Sequence, residues 1–139
     1  MLQNSTNLFT MNYMDKKRIL IVEDDEPMQK VFSESLQNHN FETFLAKDGE
    51  EGLAVAFEEH PDLILLDILM PKMDGTIMLQ RLREDAWGKT APVIILTNVS
   101  PNANNVINSV LQNEPAYYLV KSDVRLEGIV EKINSVLKI

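Results

Sequence analysis

Four short apolar runs end at side chains that could do chemistry. Glu23, Asp24 and Asp25 follow Ile19–Val22, Asp67 follows Leu63–Leu66, Thr97 follows Val93–Leu96, and Lys121 follows Tyr117–Val120. Clustered carboxylates repel one another unless a cation neutralises them. A hard divalent ion such as Mg2+ takes oxygen ligands and often shares phosphate oxygens. A carboxylate is also a nucleophile that accepts a phosphoryl group as an aspartyl phosphate. A lysine ammonium pairs with a carboxylate at rest or with a phosphoryl oxygen, and a threonine hydroxyl can donate to that oxygen. The pattern points to metal-assisted phosphoryl chemistry, in which the metal offsets charge on the transferring group.

Each residue alone has a plainer reading. Acids ahead of a helix serve as caps and dipole partners, which is the reading taken for Asp25 and Glu26. Asp67 alone would be a loop cap. Four role-matched side chains at four run ends favour function for the set.

The elements must bring these ends together. Five runs have strand length: the four above and Phe41–Ala46. Leu63–Leu66 is apolar at every position, as in a parallel strand covered on both faces. Phe41–Ala46 includes Thr43 and follows His39-Asn40, which places it at a sheet edge. Between the runs the period becomes helical. The predicted buried faces carry Met28, Val31, Phe32 and Leu36, then Leu53, Ala56 and Phe57, then Met78, Leu79 and Leu82. The fourth face carries Val106, Ile107, Val110 and Leu111; the fifth runs from Leu126 and Ile129 to Val136 and Leu137. Asp25 is a predicted N-cap with Pro27 in the first turn, Ser100-Pro101 marks the fourth helix start, and Asp123 is placed as the cap of the fifth. Strand–helix alternation with short connections implies parallel strands and right-handed crossovers, hence a doubly wound α/β domain. Ligands of such sheets bind beyond the carboxyl ends of the strands, where the four side-chain groups fall.

Composition bounds the function. The chain has 139 residues, a net charge of −8 and no Cys. One domain fits the length. The charge argues against nucleic acid or an anionic membrane as the main partner. Without Cys there is no disulfide, thiolate metal site or cysteine nucleophile. No uncharged apolar run approaches the ~18 residues of a membrane span, and a cytoplasmic location fits. Residues 1–15 are polar and aperiodic, and are read as a flexible N-terminal tail ahead of a domain over 16–139.

The segments ILIVEDDEPMQKVF, DLILLDILMPKMDG, PVIILT and YYLVKS together resemble the receiver domain of two-component response regulators, from about Lys16 onward. The resemblance implies a flavodoxin-like sheet of five parallel strands, order 2-1-3-4-5, with five helices. It implies that Asp67 accepts a phosphoryl group from a phosphohistidine of a sensor histidine kinase or histidine phosphotransfer protein. Glu23, Asp24 and Asp67 would serve Mg2+, with the backbone carbonyl of Leu69. Lys121 would contact the phosphoryl group, Thr97 would reorient towards it, and Tyr118 would move inward in concert. Pro71 and Gly75 would shape the loop after the acceptor, Gly75 by a positive φ. His39 and His60 are read as solvated turn residues and Trp87 as partial packing away from the site.

Two positions depart from the family pattern. Ser122 stands where the family usually has proline after the lysine; the Lys121–Ser122 bond is expected to be trans, since a cis bond to a non-proline costs ~2.5–4 kcal/mol. Asn98 stands where the family usually has a small residue, and is expected to cover the phosphoryl site in part or bond to it. Leu69 and Val99 are apolar where the family tunes hydrolysis, which implies slow loss of the phosphoryl group.

The expected function is a phosphoacceptor that switches binding to a downstream protein target, without direct nucleic-acid contact, and that is not counted as an enzyme because it turns over one group on itself. Alternatives are a receiver-fold interaction module that is not phosphorylated and a receiver excised from a larger regulator. A flavin binder is disfavoured by the acidic, glycine-free VEDDEP loop. A Mg2+-dependent aspartyl-phosphate phosphatase is disfavoured by Leu69, where a second Asp would be expected.

Overall fold

Every position of the strand at Leu63–Leu66 is buried, and so are the last four of Arg18–Val22 and all five of Val93–Thr97. These three strands form the centre of the sheet in a computed structural model that describes residues 16–100, 108 and 110–139. We label the strands β1 (Arg18–Val22), β2 (Glu42–Ala46), β3 (Leu63–Leu66), β4 (Val93–Thr97) and β5 (Tyr117–Val120). The helices are α1 (Glu26–Asn38), α2 (Gly49–Glu59), α3 (Gly75–Glu84), α4 (helical at 108 and 110–112) and α5 (Leu126–Leu137). All strands pair in parallel in the order β2-β1-β3-β4-β5, so Phe41–Ala46 does supply an edge strand.

Period-two alternation sends successive residues to opposite faces. Ile19 and Ile21 pack with Phe32 and Leu36 of α1 and with Ile129 and Ile133 of α5. Leu20 and Val22 pack on the other face with Leu53 of α2, with Met78, Leu79 and Leu82 of α3, and with Val110. The sheet is therefore covered on both sides, which is why Ile19–Val22, Leu63–Leu66 and Val93–Leu96 of its central strands are apolar at every position.

Several expectations need correction. Val31, Phe57 and Leu111 are 45%, 41% and 56% exposed: each lies at the margin of its helix's apolar stripe, beyond the reach of the sheet. Asp123 does not cap α5. It belongs to a 3-10 turn over Lys121–Asp123, and the residue at the α5 cap position is Arg125, without a side-chain cap bond. Asp25 does cap α1, accepting from the Met28 N–H at 3.2 Å. His60 is exposed but not simply solvated, since its ring stacks on Trp87 at 4.2 Å between centroids. The tail expected over 1–15, Pro101, Val106 and Ile107 lie outside the described residues. The Lys121–Ser122 bond is trans.

Candidate functional site

Sheet register brings the acids together. Val22 pairs with Leu66, and the Asp67 N–H donates to the Val22 carbonyl at 3.0 Å. Glu23 and Asp67 thus leave neighbouring strands at one level. Glu23 is also held from behind: its N–H donates to Ala46, and the Gln29 amide donates to the carbonyls of Glu23 and Ala46 at 3.2 and 2.9 Å. A carboxylate oxygen from each of Glu23, Asp24 and Asp67 lies within 4.8 Å of the others. Glu23 and Asp67 are buried and Asp24 is exposed, so the cluster opens to solvent on the Asp24 side.

Lys121 arrives from β5. Its ammonium donates to Asp67 Oδ2 at 2.9 Å and makes a short hydrogen bond to Glu23 Oε1. Burial pushes the Glu23 carboxyl up to about 7; the Lys121 bond opposes this and the Asp67 charge adds to it. Burial alone would lower the Lys121 ammonium, but its bonds to Glu23 and Asp67 outweigh that and hold it above the ordinary lysine value. One ammonium thus faces two buried carboxylates, and Asp67 Oδ1 is buried without a hydrogen-bond partner among the described residues. An orphaned buried carboxylate oxygen is costly and calls for a ligand. With three carboxylates around it, the donor set suits a hard divalent cation.

The remaining predicted residues stand on the same rim in less direct positions. Thr97 is fully buried at the end of β4, and its hydroxyl accepts from the Val99 N–H at 3.4 Å. The Tyr118 hydroxyl donates to the Val99 carbonyl at 2.8 Å. Its pKa is raised by burial and by the Asp67 charge. Asn98 Oδ1 accepts from the Ser122 N–H at 3.2 Å. Leu69, two residues past Asp67, is 64% exposed.

The loop after Asp67 is fixed by Gly75, as expected, and by Asp48, Gly49 and Lys72, which sequence reasoning passed over. The Gly75 N–H donates to the Ile68 carbonyl at 2.8 Å, and a Cβ on Gly75 would lie 2.2 Å from the Asp67 carbonyl oxygen. Glycine is needed there for close approach and not for a positive φ, which no described glycine adopts. Lys72 takes the left-handed conformation instead, at φ 61°. Buried Asp48 caps α2 through the Glu51 N–H and faces Lys72 at 4.0 Å, while the Gly49 N–H donates to the Met73 carbonyl at 2.9 Å. The Asp48-x-x-Glu51 spacing is a capping signature that sequence alone could have flagged.

The sequence model of the response regulator receiver domain matches residues 19–134. PilH of Pseudomonas aeruginosa is 33% identical over 120 residues, covering 86% of this chain and 97% of that protein. The probable transcriptional regulator ycf27 of Porphyridium aerugineum is 33% identical over 127 residues, covering 90% of this chain but 50% of that protein. The chain spans half or less of the length of the ycf27 relatives from Porphyridium, Cyanophora and Guillardia. Among solved structures, a CheY-like receiver domain protein of Methanospirillum hungatei superposes with a TM-score of 0.82 at 28% identity, covering 89% of this chain and 95% of that one. A chain of the CheX–CheY–BeF3–Mg2+ complex of Borrelia burgdorferi superposes with a TM-score of 0.76 at 26% identity, covering 87% of this chain and 89% of that one.

Proposed function

The chain belongs to the response regulator receiver family, and from that premise we propose that it is a phosphoacceptor switch with Asp67 as the acceptor. The observation that carries this is the state of the Asp67 carboxylate. One oxygen is held by the Lys121 ammonium, and the other is buried beside Glu23 and Asp24 with no hydrogen-bond partner among the described residues. In the proposed reaction an Asp67 oxygen attacks the phosphorus of a phosphohistidine on a sensor kinase or phosphotransfer protein. The P–N bond breaks, its electron pair returns to the imidazole nitrogen, and a P–O bond to Asp67 forms. Lys121 contacts the phosphoryl oxygens as a point charge, and the Thr97 hydroxyl turns from Val99 to donate to them. Glu23, Asp24, Asp67 and the Leu69 carbonyl would hold Mg2+, which supplies neutralisation of the charge on the transferring group.

The output is a change in protein–protein binding, with Thr97 and Tyr118 linking the acceptor to the surface around β5 and biasing a two-state equilibrium. The chain changes only itself and is not an enzyme in the turnover sense. A net charge of −8 supports a protein target over direct nucleic-acid contact. No described helix is long and apolar enough to cross a membrane, and we place the chain in the cytoplasm with its kinase. The test is intact mass after incubation with acetyl phosphate, with Mg2+ or with chelator. One phosphoryl adduct that requires Mg2+ and is absent from Asp67→Asn is expected. An unmodified wild-type mass despite bound Mg2+ and a cognate donor would turn the reading to an unphosphorylated interaction module.

A further inference from the structure

We propose that Asn98 is a positioning residue for Lys121: its carboxamide caps, from the neighbouring strand, the helical turn on which Lys121 stands. The proposed consequence for phosphotransfer rests on the phosphoacceptor reading; the cap itself does not.

Thr97 of β4 pairs with Val120 of β5, so Asn98 and Lys121-Ser122 leave the sheet side by side. Ser122 is the second residue of the 3-10 turn over Lys121–Asp123. A backbone N–H at that position has no acceptor within its own turn. The usual remedy is a side-chain oxygen on the residue just before the turn. That residue is Val120, which has no oxygen to offer and makes no cap bond. Asn98 Oδ1 accepts the Ser122 N–H instead, at 3.2 Å. The helix that follows also begins without a side-chain cap, at Arg125. The connection between β5 and α5 thus has two uncapped helical starts, and Asn98 reaches the first of them.

Lys121 needs a fixed backbone. Its ammonium is threaded between Glu23 and Asp67 on a long flexible stem, and its side chain is 13% exposed. A small displacement of its backbone would carry the charge away from the place where it must meet the reacting group. The two departures from the family pattern also make sense together. A proline at 122 would have no N–H to donate, and a small apolar residue at 98 would have nothing to accept it with. In this chain Asn98 and Ser122 form one bond, which joins the residue after Thr97 to the residue after Lys121.

The test uses the full chain. Amide hydrogen exchange at Ser122 should speed up about fivefold in Asn98→Ala, in line with the loss of one exposed cap, and should stay near wild type in Asn98→Asp, which keeps the acceptor. The side-chain 15N resonance of the Lys121 ammonium should shift or broaden in Asn98→Ala and in Ser122→Pro. The rate of phosphorylation by acetyl phosphate at saturating Mg2+ should fall severalfold in each of those variants, and no further in the double variant. Unchanged Ser122 exchange in Asn98→Ala would overturn the cap. Faster exchange with an unmoved Lys121 resonance and unmoved rate would overturn the positioning role. If wild type takes no phosphoryl group while the exchange and 15N results come out as expected, the phosphoacceptor reading fails with its catalytic consequence, and the cap stands.

Discussion

At the scale of single residues, Glu23 has the most unusual environment. Its carboxyl titrates near 7 in the folded state because it is buried, against an ordinary value of 4.5. Between those values the folded chain holds a proton that the unfolded chain has released. The unfolded state binds fewer protons there, so Glu23 makes the metal-free protein less stable as pH rises from about 4.5 to about 7, with no further change from this group above that. Urea unfolding in chelator across this range should show the decline in wild type and a flatter profile in Glu23→Gln. Leu69 makes a different prediction. It is exposed beside the proposed acceptor and has no group to orient water. The phosphorylated form should therefore decay slowly, and Leu69→Asn, whose amide can position a water, should shorten its lifetime severalfold. Equal lifetimes would remove Leu69 from the account.

At the scale of elements, Arg83 holds two connections at once. Its guanidinium donates to the carbonyls of Gly88 and Ala91 ahead of β4, and to Asn113 and Glu114 ahead of β5. These bonds tie the C-terminal part of α3 to the segments that feed the two strands carrying Thr97 and Lys121. Arg83→Ala leaves several backbone acceptors without their charged donor and should cost roughly 2–4 kcal/mol in chemical denaturation. Arg83→Lys should recover only part of that, because an ammonium cannot span the same fork. No periodicity marks Arg83, since its partners lie in loops and in the 3-10 turn at Gly88–Thr90, whose packing is not written locally. The strands are the opposite case. β3 begins and ends where its apolar run does, because a strand buried on both faces must be apolar at each position, and the half-buried edge strand β5 keeps the bounds of its run as well. The helices are legible in their centres and not at their margins: Val31, Phe57 and Leu111 have the right residue type but are exposed.

At the scale of the whole molecule, the sheet's end gathers buried charge. The chain carries −8 overall, and three of its carboxylates meet at the rim of β1 and β3 beside one ammonium. A divalent cation that binds there should stabilise the fold by about 2.7 kcal/mol at a hundredfold excess over its Kd. Thermal melts at matched ionic strength should rise with Mg2+ in wild type and rise much less in Asp24→Asn. An equal rise in both would place the stabilising ion elsewhere.

The alternating α/β architecture is written in local patterns, because burial on two faces and on one helical stripe both repeat along the chain. The side chains at the strand ends are legible in the same way, since each follows its own apolar run directly. Register and loop packing decided the rest. They brought Lys121 onto Glu23, 98 residues earlier in the chain. They made Gly75 necessary for its approach to the Asp67 carbonyl and not for its backbone angle. They turned Asn98 and Ser122 from two separate oddities into a bonded pair. Such contacts depend on how loops from neighbouring strands meet in space, and no short stretch of sequence contains both partners.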